Sequence, residues 1–146
     1  MTQREQLLQA VEQDLQQDCS DYLGLRGLMQ ELYQHLLKRD SERIDLLNQQ
    51  ISELVDQVRV RAGRRSKILA AFKLAPGGGA MQQLLTLFPE ARRDYLQETW
   101  QQLGLLAGQC KRLNERNGKL LAMHHEILSQ LLGEAESQHL YAPQHY

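Results

Sequence analysis

Apolar residues recur at four- and three-residue steps along most of this chain, and that spacing constrains its fold more than any other feature. From Val11 the positions run Val11, Leu15, Asp18, Tyr22, Leu25, Met29, Leu32 and Leu36. All but Asp18 are apolar, and a repeat of this kind is the seam of a helix lying along another helix. Leu8, Leu28 and Tyr33 widen the stripe. Residue choice agrees, with 28 Leu and 20 Gln against four Val, four Ile and three Thr. Residues unbranched at Cβ hold helix well, and the β-branched ones that favour sheet are scarce.

Punctuation divides the seam into three helices. Lys38 and Arg39 are cations at a helix C-terminus, and Asp40 or Ser41 can cap the next helix, with Glu42 in its first turn. KRDSE therefore reads as a tight link between antiparallel helices. The second helix carries Ile44, Leu47, Ile51, Leu54 and Val58, weakens through RVRAGRRSK, and recovers at Leu69 and Phe72. APGGG, residues 75–79, breaks it. A short apolar piece, MQQLLTLF, precedes Pro89, which suits a first helical position. Leu96, Trp100, Leu103, Leu106, Cys110, Leu113, Asn117, Leu120, His124, Ile127 and Leu131 then repeat the spacing. The expectation is a single all-α domain over residues 1–146. It is an elongated antiparallel three-helix coiled-coil bundle with helices at about 2–39, 41–74 and 89–132, a Gly-rich linker and a flexible tail over 133–146. Such helices are far longer than the globular average, and long seams are surfaces by which helical proteins grasp other helices.

Several classes of function are disfavoured by composition. A net charge of −1 supplies no global field toward nucleic acid or anionic lipid. The start, MTQREQLLQAVEQ, lacks the apolar region of a signal peptide, and no run approaches a membrane span. Cys19 and Cys110 fit neither a disulfide framework nor a zinc site. They read as reduced, packed thiols of a cytoplasmic protein.

The segment RLNERNGKLLAMHHEILSQLL, residues 112–132, concentrates the polar chemistry. His124 and His125 are adjacent, about 100° apart around a helix, and neither has a ligand one turn away, so no metal site is expected. No nucleophile sits beside a base, and PGGGAM lacks the Lys-Ser/Thr of a phosphate-binding loop. No enzyme, small-molecule substrate or cofactor is expected. Arg59, Arg61, Arg64, Arg65 and Lys67 form a basic cluster that could meet a phosphate backbone. Without interleaved aromatics it reads better as a solvated or salt-bridged helix face, so nucleic acid is a disfavoured partner. Gly104 and Gly108 would permit close helix approach, and Gly24 and Gly27 would do the same in the first helix or mark a bend. Asn114 and Asn117, one turn apart, can face one partner. Asn117 and His124 interrupt the apolar seam, either to set register or because this part of the seam opens to a partner helix.

Leu113-Asn114-x-x-Asn117-Gly118-x-Leu120-Leu121 on the last long helix, followed by Leu140-Tyr141, resembles the C-terminal signature of FlgN-type flagellar export chaperones. Ala142 stands where that family often has Gly. The resemblance is specific from Leu113 to Tyr141 and architectural elsewhere. It implies a cytoplasmic, non-enzymatic chaperone that binds the helical terminal region of hook–filament junction proteins before export through the flagellar type III apparatus. The motif match carries substrate contact to Asn114, Asn117, Leu120 and Leu121, and docking to the membrane export gate to Tyr141. Leu113, His124 and Leu128 extend the contact along the helix as apolar or polar anchors. Two rivals stay open: a nucleic-acid or regulatory-factor binding protein using residues 59–67, and a structural coiled-coil subunit. Homodimerisation through a spare seam also stays open, and direct membrane insertion is not expected.

Overall fold

The computed structural model describes residues 1–75 and 77–138, with side chains as far as residue 133. Its regular structure is entirely helical: α1 Gln3–Lys38, α2 Ser41–Ala71, α3 Ala80–Leu85 and α4 Glu90–Gln138. The all-α expectation holds among the described residues, with four helices where the spacing pointed to three. The additional one, α3, is six residues of the apolar piece before Pro89. α4 passes through Gly133 and reaches 49 residues, or about 74 Å at 1.5 Å per residue.

Local chemistry fixes the helix ends. Thr2 Oγ1 accepts from the Glu5 N–H at 3.1 Å, and Asp40 Oδ1 accepts from the Arg43 N–H at 3.3 Å. Each satisfies a donor that the first turn leaves orphaned. Asp40, not Ser41, is therefore the cap of α2. α1 stops at Arg39, which takes the left-handed conformation (φ 55°) while the Asp40 N–H turns back to the His35 carbonyl at 3.1 Å. That pattern closes helix C-termini.

Side-chain pairs give the helix directions. Glu31 meets Arg43, Asp18 meets Arg61 and Asp14 meets Arg64, so α2 runs antiparallel to α1. Glu12 meets Arg92, Cys19 meets the Thr99 carbonyl and Met29 meets Asn117, so α4 runs parallel to α1. α1 is the central element. α2 and α4 both pack on it, yet among the described residues no Cα of one comes within 8 Å of the other. This explains the uneven burial: α1 buries ten residues on its two contact faces, α2 only Leu47, Arg61 and Ile68.

At the base, where α1 and α4 begin, α3 closes the gap. Met81, Leu84, Leu85 and Phe88 join Leu8, Val11, Leu15, Ile68 and Leu96 in the largest core cluster. Smaller clusters succeed it toward the α1–α2 turn, one around Leu25, Met29 and Cys110 and one around Leu32, Leu36 and Leu47. The glycines do not bring helices together as expected. A Cβ at Gly27 or Gly104 would meet nothing within 4 Å, and at Gly24 or Gly108 it would meet only one side-chain atom, at 3.6 and 3.5 Å. No described helix is long and apolar enough to cross a membrane.

Candidate protein-binding surface

Arg92, the third residue of α4, meets Glu12, the tenth of α1, so α4 begins farther along the bundle, and it is 13 residues longer, 49 against 36. Its far end therefore outruns the turn that joins α1 to α2. The last contacts on the way out are the Arg116 guanidinium over the Tyr33 ring, 3.7 Å from its centroid, and a shallow hollow shared by Arg39, Ser41, Ile44, His124 and Leu128. From His125 to Leu132 every residue is exposed. Met123, Ile127, Leu131 and Leu132 stand there with more than a third of their surface in water. A cluster of exposed large apolar side chains on one helix end marks a place where another molecule docks.

The residues singled out from the sequence fall on two faces of this helix. Leu113, Asn117 and Leu120 turn inward. Leu113 packs with the middle cluster and Leu120 with the one at the turn. Asn117 is buried, its Nδ2 donating to the Met29 carbonyl at 2.8 Å while its Oδ1 has no partner. Asn114, Leu121 and Leu128 recur at seven-residue steps on the neighbouring stripe and are exposed, the two leucines at 51% and 54%. His124 lies between the stripes, half-buried. The two asparagines therefore do not face one partner: Asn114 faces water and Asn117 faces α1. Tyr141 lies outside the described residues.

Farther down, the exposed stripe forms one wall of a groove of about 410 Å³ between α2 and α4. α1 supplies its floor with Leu25 and Met29, α2 one wall with Ile51, Val55 and Val58, and α4 the other with Ala107, Cys110 and Asn114. The walls stand apart because the α2 and α4 backbones lie against α1 and not against each other. Burial pushes the Cys110 thiol above its ordinary value, with nearby Arg26 pulling the other way. The Cys19 thiol is raised by burial and by neighbouring Asp18. Both cysteines are free, and thiols shifted this way are poor nucleophiles at neutral pH.

The basic cluster resolves into pairs. Arg61 bridges Asp18 and Asp21, Arg65 reaches Asp18 at 2.8 Å, and Arg64 grips Asp14 with two bonds of 2.7 Å. Burial disfavours the Arg61 charge, but the hydrogen bonds it donates to Asp18 and Asp21, and the charges of those carboxylates, outweigh it and raise its pKa. Arg65 also lies over the Trp100 ring, 5.5 Å from its centroid, which ties α2 to α4. Three of the five cations are thus committed to α1, leaving little for a phosphate backbone. Among the described residues no group of three or more His, Cys, Asp or Glu side chains could hold a metal ion.

Sequence reasoning passed over Met123 and Leu132 and the α2 wall of the groove. Helix length carried the signal for the first two: a helix a third longer than its neighbour, and beginning farther along it, must end beyond it. Compared with known proteins, residues 1–140 match the family described as FlgN protein. No curated protein and no solved structure matches the chain.

Proposed function

Since the chain belongs to the FlgN family, we propose that it is a cytoplasmic chaperone of flagellar type III export. It holds the helical terminal region of a hook–filament junction protein and delivers it to the export gate. Catalysis has no place in this reading; the work is the covering of apolar helix surface. Leu121 and Leu128 are the principal anchors, flanked by His124 and by Asn114 on the same side of α4. Leu113, Asn117 and Leu120 act from beneath, holding α4 on α1 so that the outer stripe is presented. Tyr141 is assigned to the gate on the strength of the family resemblance alone.

One observation carries the reading: the outer leucines of α4, Leu121 and Leu128 beside the turn and Leu131 and Leu132 beyond it, are each more than half exposed. No helix has to leave the bundle before a client can bind. An amphipathic client helix meets such a surface through anchors at i, i+3, i+4 and i+7. Covering two half-exposed leucines is worth about 1 kcal/mol each, half of a full burial.

The experiment is calorimetric titration of the protein with the helical terminal region of a hook–filament junction protein. Leu121→Ala with Leu128→Ala should weaken binding by about 10- to 100-fold, each kilocalorie being about fivefold, while the circular dichroism spectrum and Tm stay unchanged. Full affinity in a folded double variant would overturn the assignment.

A further inference from the structure

The groove between α2 and α4 is not required for capture at the overhang, and its chemistry is distinct. Its floor and walls are apolar, through Met29, Ile51, Val55, Val58 and Cys110. Its polar rim holds Arg59, Lys111 and Asn114, two cations and no carboxylate. Arg59 does approach Asp56 at 3.7 Å, but both side chains are three-quarters exposed, and an ion pair in that setting constrains the arginine little.

We propose that this groove is the seat of one amphipathic α-helix that carries acidic residues on both flanks of a short apolar stripe. The shape calls for a helix. α2 and α4 pack on α1 but stay farther apart than packed neighbours would, and a helix laid on α1 between them completes a four-helix cross-section at ordinary packing distances of about 8–10 Å. The length calls for about three turns: the α2 wall runs from Ile51 to Ala62, about 16 Å at 1.5 Å per residue. The rim charges select its flanks, because Arg59 stands on the α2 side and Lys111 on the α4 side. Acidic residues beside the stripe meet both at once, and basic ones meet repulsion from both. Charge complementarity of this kind sets register and rejects wrong partners. Asn114 lies at the junction of groove and outer stripe, so a client helix seated here continues in line toward Leu121.

The proposal rests on the reading of the protein as a helix-binding chaperone, but its test needs no natural client. Two synthetic helical peptides share leucines at seam spacing and differ only in flanks, one with glutamates and one with lysines. The glutamate peptide should bind the full-length protein at least about tenfold more tightly. Arg59→Glu with Lys111→Glu, both exposed and away from the core, should abolish that preference or invert it. Leu121→Ala with Leu128→Ala should alter glutamate-peptide affinity by less than about threefold, because those leucines lie beyond a three-turn site. Full client affinity in that leucine variant, with the glutamate peptide still preferred, would sink the overhang reading and spare the groove. Equal binding of both peptides, binding of neither, or indifference to the double charge reversal would overturn the groove proposal. So would sedimentation showing a dimer that the peptide cannot dissociate, which would make a second copy of the chain the occupant.

Discussion

Two pairs of adjacent leucines measure the difference between the ends of this molecule. Leu84 and Leu85, in α3, are wholly buried, whereas Leu131 and Leu132, in α4, are 56% and 57% exposed. Residue type and helical setting are the same; only the number of neighbouring helices differs. At the base α1, α2, α3 and α4 converge, and every side of an apolar side chain finds a partner. At the tip α4 stands alone among the described residues, and its leucines meet water. Apolar area in water carries a cost of about 25 cal/mol per Å², so the tip has a standing drive to be covered that the base has already satisfied. One end holds the fold and the other is available for binding.

The comparison predicts its own largest test. Leu84→Ala with Leu85→Ala should remove about 2–5 kcal/mol for each side chain, as much as the whole stability of many domains at about 5–15 kcal/mol. Leu131→Ala with Leu132→Ala should change stability by no more than about 0.5 kcal/mol for each exposed site. Urea denaturation followed by circular dichroism reads both. Comparable losses at the two ends would mean that the overhang is covered in solution and that the contrast is false.

A smaller effect separates charge from apolar packing near the base. Arg61 and both its carboxylate partners are buried, whereas Arg64 is half-exposed. Arg61→Ala leaves buried Asp21 without a cation and Asp18 with Arg65 alone, and should cost about 3–5 kcal/mol. Arg64→Ala should cost less, about 1–3 kcal/mol, because it unpairs one buried carboxylate, Asp14, and its own guanidinium is already half in water. Because the Arg61 pKa is raised, its contribution is fully present below the unfolded arginine value and is lost only as pH rises through the higher folded one. Neutral and mildly alkaline solutions should therefore show no change from this group. Equal losses in the two variants would remove the buried network as a distinct support of the α1–α2 contact.

How far the sequence alone could reach is decided by these same residues. The α1 seam was legible to the side chain: Val11, Leu15, Leu25, Met29, Leu32 and Leu36 are all buried, because a helix packed on two sides buries its whole stripe. The same spacing in α2 misled, since Ile44, Ile51, Leu54 and Val58 are only partly covered. Their cover depends on where α4 lies, and that is not a local property. Asp18 registered as the one break in the seam, while its partner went unread. A hairpin turning at Arg39 and Asp40 opposes residues equidistant from the turn, and Asp18 and Arg61 are equidistant. Counting outward from the turn is enough to pair them. No comparable rule reaches Asn117, whose inward orientation depends on the depth at which α4 sits against Met29.

The smallest effect concerns the turn beside the overhang. Arg39 holds φ 55°, a left-handed conformation in which a Cβ crowds the following carbonyl at a cost of about 1–2 kcal/mol. Glycine relieves that crowding but adds freedom to the unfolded chain, worth about 0.4–1 kcal/mol in the other direction. Arg39→Gly should therefore raise stability by about 0.5 kcal/mol, the difference between those opposing terms. It also strips a cation from the hollow that Arg39 shares with His124 and Leu128, while the leucine surface of the tip is left as it was. If the tip binds by covering apolar area, client affinity should hold in this variant. A fall in client affinity with stability unchanged or raised would show instead that charge at the turn takes part in capture, so that both overhang and groove select acidic helices.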